Sequence, residues 1–166
     1  MTQVLLGIGS NIERRRHIGT ALEELRAQWP GIVFSPVYES AAVGFNGEDF
    51  YNLVAAFETD EPLARVEEAL RGIEDAHGRD RAGPKFSART LDLDLLTWGD
   101  AVIDDGRVTL PRPEILRFDF VLRPLADIVP GERHPTAGAT YRDLWSRFSG
   151  EPAILRVVDE RWDCCS

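Results

Sequence analysis

Apolar side chains recur along this chain with a period that switches between two and about 3.6 residues, and the order of the switches restricts the fold more than any other feature. "TQVLLGIGS" is a short apolar run ending in small residues, and it predicts a first strand from Gln3 to Gly9. Ile18, Leu22, Leu25 and Trp29 then form a helical stripe that Pro30 stops. "IVFSPVYES" predicts a second strand, edge or bulged because Pro36 has no N–H for a ladder. Ala41 to Asp49 is a loop, and "FYNLVAAFET" is a third strand. Asp60 as N-cap and Pro62 in the first turn open a second helix with the stripe Leu63, Val66, Leu70 and Ile73, ended by Gly78. After a further loop, "RTLDLDLLTW" is a fourth strand and "AVIDDGRVTL" a hairpin turning at Asp104, Asp105 and Gly106. The proline-rich remainder predicts short helices and a closing strand at "AILRVV". Strand, helix, strand, strand, helix, strand is a split β-α-β order. It predicts a mixed α/β (α+β) fold: a ferredoxin-like βαββαβ sheet with helices packed on it and a C-terminal extension, in one domain over residues 1–166.

A chain of 166 residues is long enough to bury roughly 70% of the surface its unfolded form exposes, so it needs no covalent staples. Its only cysteines, Cys164 and Cys165, are adjacent and cannot clip distant segments together, which predicts a reducing compartment. No basic leader opens the chain and no apolar run approaches the roughly 18 residues of a membrane span, so a cytoplasmic protein is expected. The net charge of −9 argues against nucleic acid as a general partner. Against that acidic whole, Arg79, Arg81, Lys85 and Arg89 oppose Asp80 alone between residues 79 and 89, and Lys85 is the only lysine.

The basic stretch runs into "LDLDLL". Residues two apart on a strand share a face, with Cα atoms roughly 7 Å apart. Asp92 and Asp94 therefore point together while Leu91, Leu93 and Leu95 pack behind them. Two ionised carboxylates this close repel unless cations sit between them. Oxygen ligands suit Mg²⁺, which takes one or two protein carboxylates and fills its shell with water and phosphate oxygens. A solvated acidic strand face is the bland alternative; the neighbouring cations favour a polyphosphate site, since such a ligand needs metal ions and guanidinium forks together.

Other phosphate devices fail on inspection. Lys85 is followed by Phe86, so there is no P-loop, and "GIGSNI" ends in Ile12, which breaks the dinucleotide fingerprint. His17, His77 and His134 lack a zinc-protease context and are expected at the surface or as caps. Arg14, Arg15 and Arg16 are expected to be solvated.

In "LLGIGSNI", "YESAAVGFNGEDFYN", "IEDAHGRDR", "RTLDLDLLTWGD" and "FVLRPLADIVP", in this order, the chain resembles the 6-hydroxymethyl-7,8-dihydropterin pyrophosphokinase family of folate biosynthesis. The resemblance implies transfer of the β,γ-pyrophosphoryl unit of ATP to the pterin hydroxymethyl group with release of AMP. It implies two Mg²⁺ ions on Asp92 and Asp94, and catalytic contacts to the triphosphate from Arg79 and Arg89. Glu74, Arg81, Lys85, Leu95, Arg107, Thr109 and Arg112 would complete the nucleotide site. Ser40, Val43, Phe50, Asn52 and Phe120 would hold the pterin, with the two rings sandwiching it and the Asn52 amide meeting its edge. The expected partners are these small molecules, and the expected state is a monomer.

The chain departs from the family at several points. Lys85, Phe86, Ser87, Ala88 and Arg89 stand where Arg-Trp-Gly-Pro-Arg is usual, which turns a fork into a point charge at Lys85. Arg112 replaces a histidine after Pro111, Phe118 replaces an arginine with Arg117 one place earlier, and Ala42 replaces a proline. A diverged paralogue acting on a related pterin, and a non-catalytic nucleotide-binding module, are the competing expectations. The loop from Arg79 to Ala88, with its mutually repelling cations, is expected to move when empty.

Overall fold

A computed structural model describes residues 1–44, 47–78 and 90–158. The first strand, β1, runs Thr2–Ser10, followed by α1, Arg14–Gln28. Ile18, Leu22 and Leu25 of the predicted stripe are buried on α1, and Trp29 just past its end stacks on Phe57 at 4.2 Å. The predicted second strand is two pieces, β2 at Val33–Phe34 and β3 at Tyr38–Ser40. Between them, Pro36 has no N–H for a ladder and the Ser35 hydroxyl accepts from the Val54 N–H at 2.9 Å, so a side chain replaces a backbone rung. The third predicted strand is β4, Phe50–Thr59.

Helix α2, Leu63–Ala76, buries Val66 and Leu70 and half-buries Leu63 and Ile73. Asp60 does not cap it. Pro62 is the N-cap residue, without a side-chain bond, and Asp60 instead faces the N-terminal ammonium at 3.5 Å. The turn before the helix is closed by Thr59, whose hydroxyl accepts from the Glu61 N–H at 3.1 Å. Past the helix, Gly78 takes φ +76°, a left-handed conformation that suits a residue without Cβ.

Strand β5, Asp92–Trp98, leads into the hairpin β6, Ile103–Asp104, and β7, Thr109–Leu110, which turns through Gly106 at φ +83° as expected. Three short helices follow: α3, Glu114–Arg117; α4, Asp119–Ile128; and α5, Tyr141–Ser146. Strand β8, Ile154–Val157, closes the described chain.

The main sheet has the order β5-β1-β4-β3-β8, with β2 also paired to β4, and its pairings are antiparallel. This is the expected ferredoxin-like arrangement, β1 and β4 central, extended by β8. Each face of the sheet carries its own core. Leu6, Ile8 and Leu93 pack with Ile18, Leu22 and Leu25 of α1 and Val66 and Leu70 of α2. Leu5, Val54 and Leu96 pack with Ile115 of α3, Leu122 and Leu125 of α4 and Tyr141 of α5. The second face is therefore covered only because the C-terminal extension folds back over it.

No described helix is long and apolar enough to cross a membrane. Arg14 is not solvated as expected: it pairs with Glu39 at 2.7 Å, donates to the Asp49 carbonyl at 3.0 Å and lies 3.9 Å from the centre of the Tyr51 ring. His17 and His134 are buried, and His77 is closely packed, not at the surface. His134 instead braces a turn, its Nδ1 accepting from the backbone N–H groups of Thr136 and Ala137 at 3.1 and 3.0 Å.

Candidate functional site

One row of the sheet sets the geometry. Gly9 of β1 lies opposite Asp92 of β5 on one side and Asn52 of β4 on the other, and Asn52 lies opposite Tyr38 of β3. Directly paired residues share a face, so Asp92 and Asn52 project to the same side with Gly9 between them. One step along, Gly7 lies opposite Asp94 and Val54. The expected pairing of the two aspartates on one face is present. Leu91 and Leu93 are buried beneath, and Leu95 packs on the same core.

The glycines make room on this row for side chains of the neighbouring strands. A Cβ built on Gly9 would stand 2.6 Å from Asn52 Oδ1 and 3.8 Å from a Phe50 ring carbon, so only glycine lets the amide and the ring lie across β1. The Asn52 amide is fixed at its other end, donating from Nδ2 to the buried Ser40 Oγ at 2.6 Å. Ser40, Phe50 and Asn52 are thus brought together. Val43 lies in a bend just after β3 and is partly buried. Phe120, in the first turn of α4, stacks on Phe118 with ring centres 5.0 Å apart and packs on the core of the same face. The Arg117 guanidinium lies 5.5 Å from the Phe118 ring centre.

Arg112 reaches the acidic row from the opposite direction. In β5 the pairing steps from Leu6 with Leu95 to Leu5 with Thr97, leaving Leu96 as the extra residue of a bulge. The Leu96 carbonyl accepts from the Arg112 N–H at 2.9 Å, which docks the segment after β7 onto β5. From there the Arg112 guanidinium holds Glu114 at 3.0 Å and lies 4.0 Å from Asp94 Oδ1.

The remaining nucleotide-site candidates among the described residues lie on α2, β5 and the hairpin. Glu74 accepts from the Leu93 N–H at 2.9 Å, so its carboxylate ties the last turn of α2 to the edge of β5 between the aspartates. The Leu95 side chain faces the α1–α2 core, not the acidic row, because the alternation that presents Asp92 and Asp94 turns it away; only its backbone is at the strand edge. Arg107 is exposed on the hairpin and pairs with Glu67 of α2 at 2.9 Å, a contact that raises its pKa. Asp105 in the same turn accepts from the N–H groups of Val108 and Arg107, which lowers its pKa. Thr109 is an exposed residue of β7, its Oγ1 3.5 Å from Asp104. Arg79, Arg81, Lys85 and Arg89 lie outside the described residues, as do Cys164 and Cys165 and the expected mobile loop.

The donor set fits Mg²⁺. Two hard oxygen donors project from one face of one strand, and no group of three or more His, Cys, Asp or Glu among the described residues competes as a transition-metal site. What sequence reasoning missed is the cradle formed by Gly7 and Gly9. The signal was legible: glycines two apart in a strand, on the face that the aspartates share across the sheet.

A profile of the 7,8-dihydro-6-hydroxymethylpterin-pyrophosphokinase (HPPK) family matches residues 5–130. Among similar proteins, the 2-amino-4-hydroxy-6-hydroxymethyldihydropteridine pyrophosphokinase of Pseudomonas aeruginosa is 36% identical over 137 residues, covering 80% of this chain and 84% of that one. The enzyme of the same name from Aquifex aeolicus is 33% identical over 156 residues, covering 93% of this chain and 94% of that one. A crystal structure of Plasmodium falciparum HPPK-DHPS superposes with TM-score 0.70 at 14% identity over 89% of this chain; the chain spans 43% of that longer protein, and the likeness establishes the fold.

Proposed function

The chain belongs to the HPPK family, and from that premise we propose that it transfers the β,γ-pyrophosphoryl unit of ATP to 6-hydroxymethyl-7,8-dihydropterin in folate biosynthesis, releasing AMP. In that transfer the hydroxymethyl oxygen bonds to the β-phosphorus, the bond from this phosphorus to the oxygen bridging to the α-phosphate breaks, and AMP leaves with that oxygen. The observation that carries the reading is Asp92 and Asp94 on one face, across a glycine strand from the fixed Asn52 amide.

Each part has a physical assignment. Asp92 and Asp94 would hold two Mg²⁺ ions, which when bound neutralise phosphate charge and polarise the reacting phosphorus. Arg112, already beside Asp94, would meet phosphate oxygens from the hairpin side. Arg79, Arg81, Lys85 and Arg89 are assigned to the triphosphate on the strength of the family resemblance, with Arg79 and Arg89 contacting the transferred group. Arg107 and Thr109 lie on the hairpin beside α2, where they would reach the nucleoside, and the Leu95 backbone offers the base a strand edge. Glu74 acts indirectly, by holding β5.

The pterin would lie over Gly9 with its polar edge on Asn52 and Ser40, flanked by Val43, Phe50 and Phe120. An amide pinned by Ser40 keeps its orientation before substrate arrives, which lowers the cost of ordering it on binding. A monomer acting in the cytoplasm on ATP and the dihydropterin completes this reading.

Incubation with ATP, Mg²⁺ and 6-hydroxymethyl-7,8-dihydropterin should release AMP, with none formed when the metal or the pterin is omitted. ADP as the product, or pterin-independent AMP, would contradict the assignment. The replacement of the family's histidine by Arg112 supports a second reading, a paralogue for a related pterin. Stronger turnover of a pterin other than the 6-hydroxymethyl compound would select it.

A further inference from the structure

Away from the acidic row, α1 and α2 are joined by four polar side chains in line. His17 Nδ1 lies 2.6 Å from His77 Nδ1, and His77 Nε2 lies 2.6 Å from Glu24 Oε1. Arg16 approaches the far nitrogen, His17 Nε2, at 3.3 Å. One arrangement of protons satisfies every contact. Arg16 can only donate, so His17 Nε2 accepts and its Nδ1 carries the hydrogen; His77 Nδ1 then accepts, and its Nε2–H donates to Glu24. Only one hydrogen fits between the two Nδ1 atoms.

The position of the chain matters as much as its chemistry. His77 immediately follows α2, and one turn earlier Glu74 accepts from the Leu93 N–H between Asp92 and Asp94. We propose that His17, His77 and Glu24 form a proton-sensitive clasp: neutral, it fixes the last turn of α2 against α1 and so holds the strand carrying the two aspartates, and protonation of both histidines opens it. Among the described residues, the charged groups facing the pair are Arg16 and Glu13 beside His17 and Glu24 beside His77, all on or at the start of α1.

Burial, then the neighbouring His77 and Arg16, lower the His17 pKa below its ordinary value, with Glu13 opposing. The unfolded chain therefore takes up this proton at higher pH than the folded one. The contribution of His17 to stability is complete above about pH 6.5 and is lost as the pH drops from there towards the depressed folded value. His134, also lowered by burial, adds its own acid sensitivity, so the test must read a difference.

His17→Asn keeps a donor at the Nδ1 position, and its amide can turn to accept when His77 is protonated. Nitrogen-15 NMR of the wild-type rings at about pH 8 should show His17 with hydrogen on Nδ1 and His77 with hydrogen on Nε2; two rings titrating independently near the free value of about 6.5 would overturn the clasp. Urea unfolding at about pH 8 and about pH 5.5 should give a larger acid loss of midpoint in the wild type than in His17→Asn; equal losses would overturn it. The link to the acidic row rests on the proposed nucleotide site. The dissociation constant for Mg²⁺ with a non-hydrolysable ATP analogue should rise about tenfold more with acid in the wild type than in the variant, an ordinary size for coupling between two sites. Equal rises in both proteins would overturn the coupling. Absence of analogue binding even at about pH 8 would overturn the nucleotide reading, with the NMR and unfolding results still deciding the clasp.

Discussion

At the scale of single residues, the proposed chemistry depends on what Asp92 and Asp94 face and on what β1 omits. Replacing either aspartate with asparagine keeps the shape and removes a charge, so kcat/KM for AMP formation should fall by at least about a hundredfold while the melting temperature stays near that of the wild type. Activity equal to the wild type would remove metal positioning from the mechanism. Gly9→Ala places a methyl 2.6 Å from Asn52 Oδ1, which forces the amide off Ser40. That crowding should cost about 1–3 kcal/mol of stability and raise the KM for pterin more than that for ATP, measured by denaturant unfolding and steady-state kinetics. The aspartate pair was legible in the sequence because period two alone decides which residues share a strand face. The exclusion at Gly9 was not, since it depends on Asn52 arriving from a strand more than forty residues later.

At the scale of elements, β5 is an edge strand that carries the two aspartates, and its edge is held in two places. Glu74 takes the Leu93 N–H, and the Arg112 backbone takes the Leu96 carbonyl released by the bulge. Glu74→Ala leaves the Leu93 N–H without this acceptor and should cost about 1–3 kcal/mol in urea unfolding. Glu74→Gln retains an acceptor and should recover most of that loss; an equal loss in both variants would deny the contact its structural role. The hairpin and the helices were readable from turn chemistry and apolar stripes. The split between β2 and β3 was only half readable: Pro36 announced a defect, but the Ser35 hydroxyl that replaces a ladder rung is a tertiary contact without a local signal. The same applies to Asp60, whose residue type suits a cap although the turn is closed by Thr59.

At the scale of the whole molecule, one sheet separates two cores, and the acidic row lies at the open end of the face that the C-terminal helices cover. Removing residues 111–166 would expose Leu5, Val54 and Leu96 together and delete Phe120 and Arg112. Such a chain should lose cooperative thermal unfolding by calorimetry, because a face stripped of its helices presents an apolar patch to water. The ferredoxin-like order was legible from the alternation of periods, whereas the covering of the second face was not, because α3 to α5 are too short and proline-broken to show a sustained stripe. The central claim is that the two aspartates of β5 grip divalent ions against a nucleotide tail. The most direct test is a crystal of the protein with Mn²⁺ and a non-hydrolysable ATP analogue, recorded at a wavelength where manganese scatters anomalously. The account predicts anomalous peaks between the Asp92 and Asp94 carboxylates and the phosphates; phosphates bound elsewhere, or a metal held away from both aspartates, would contradict it.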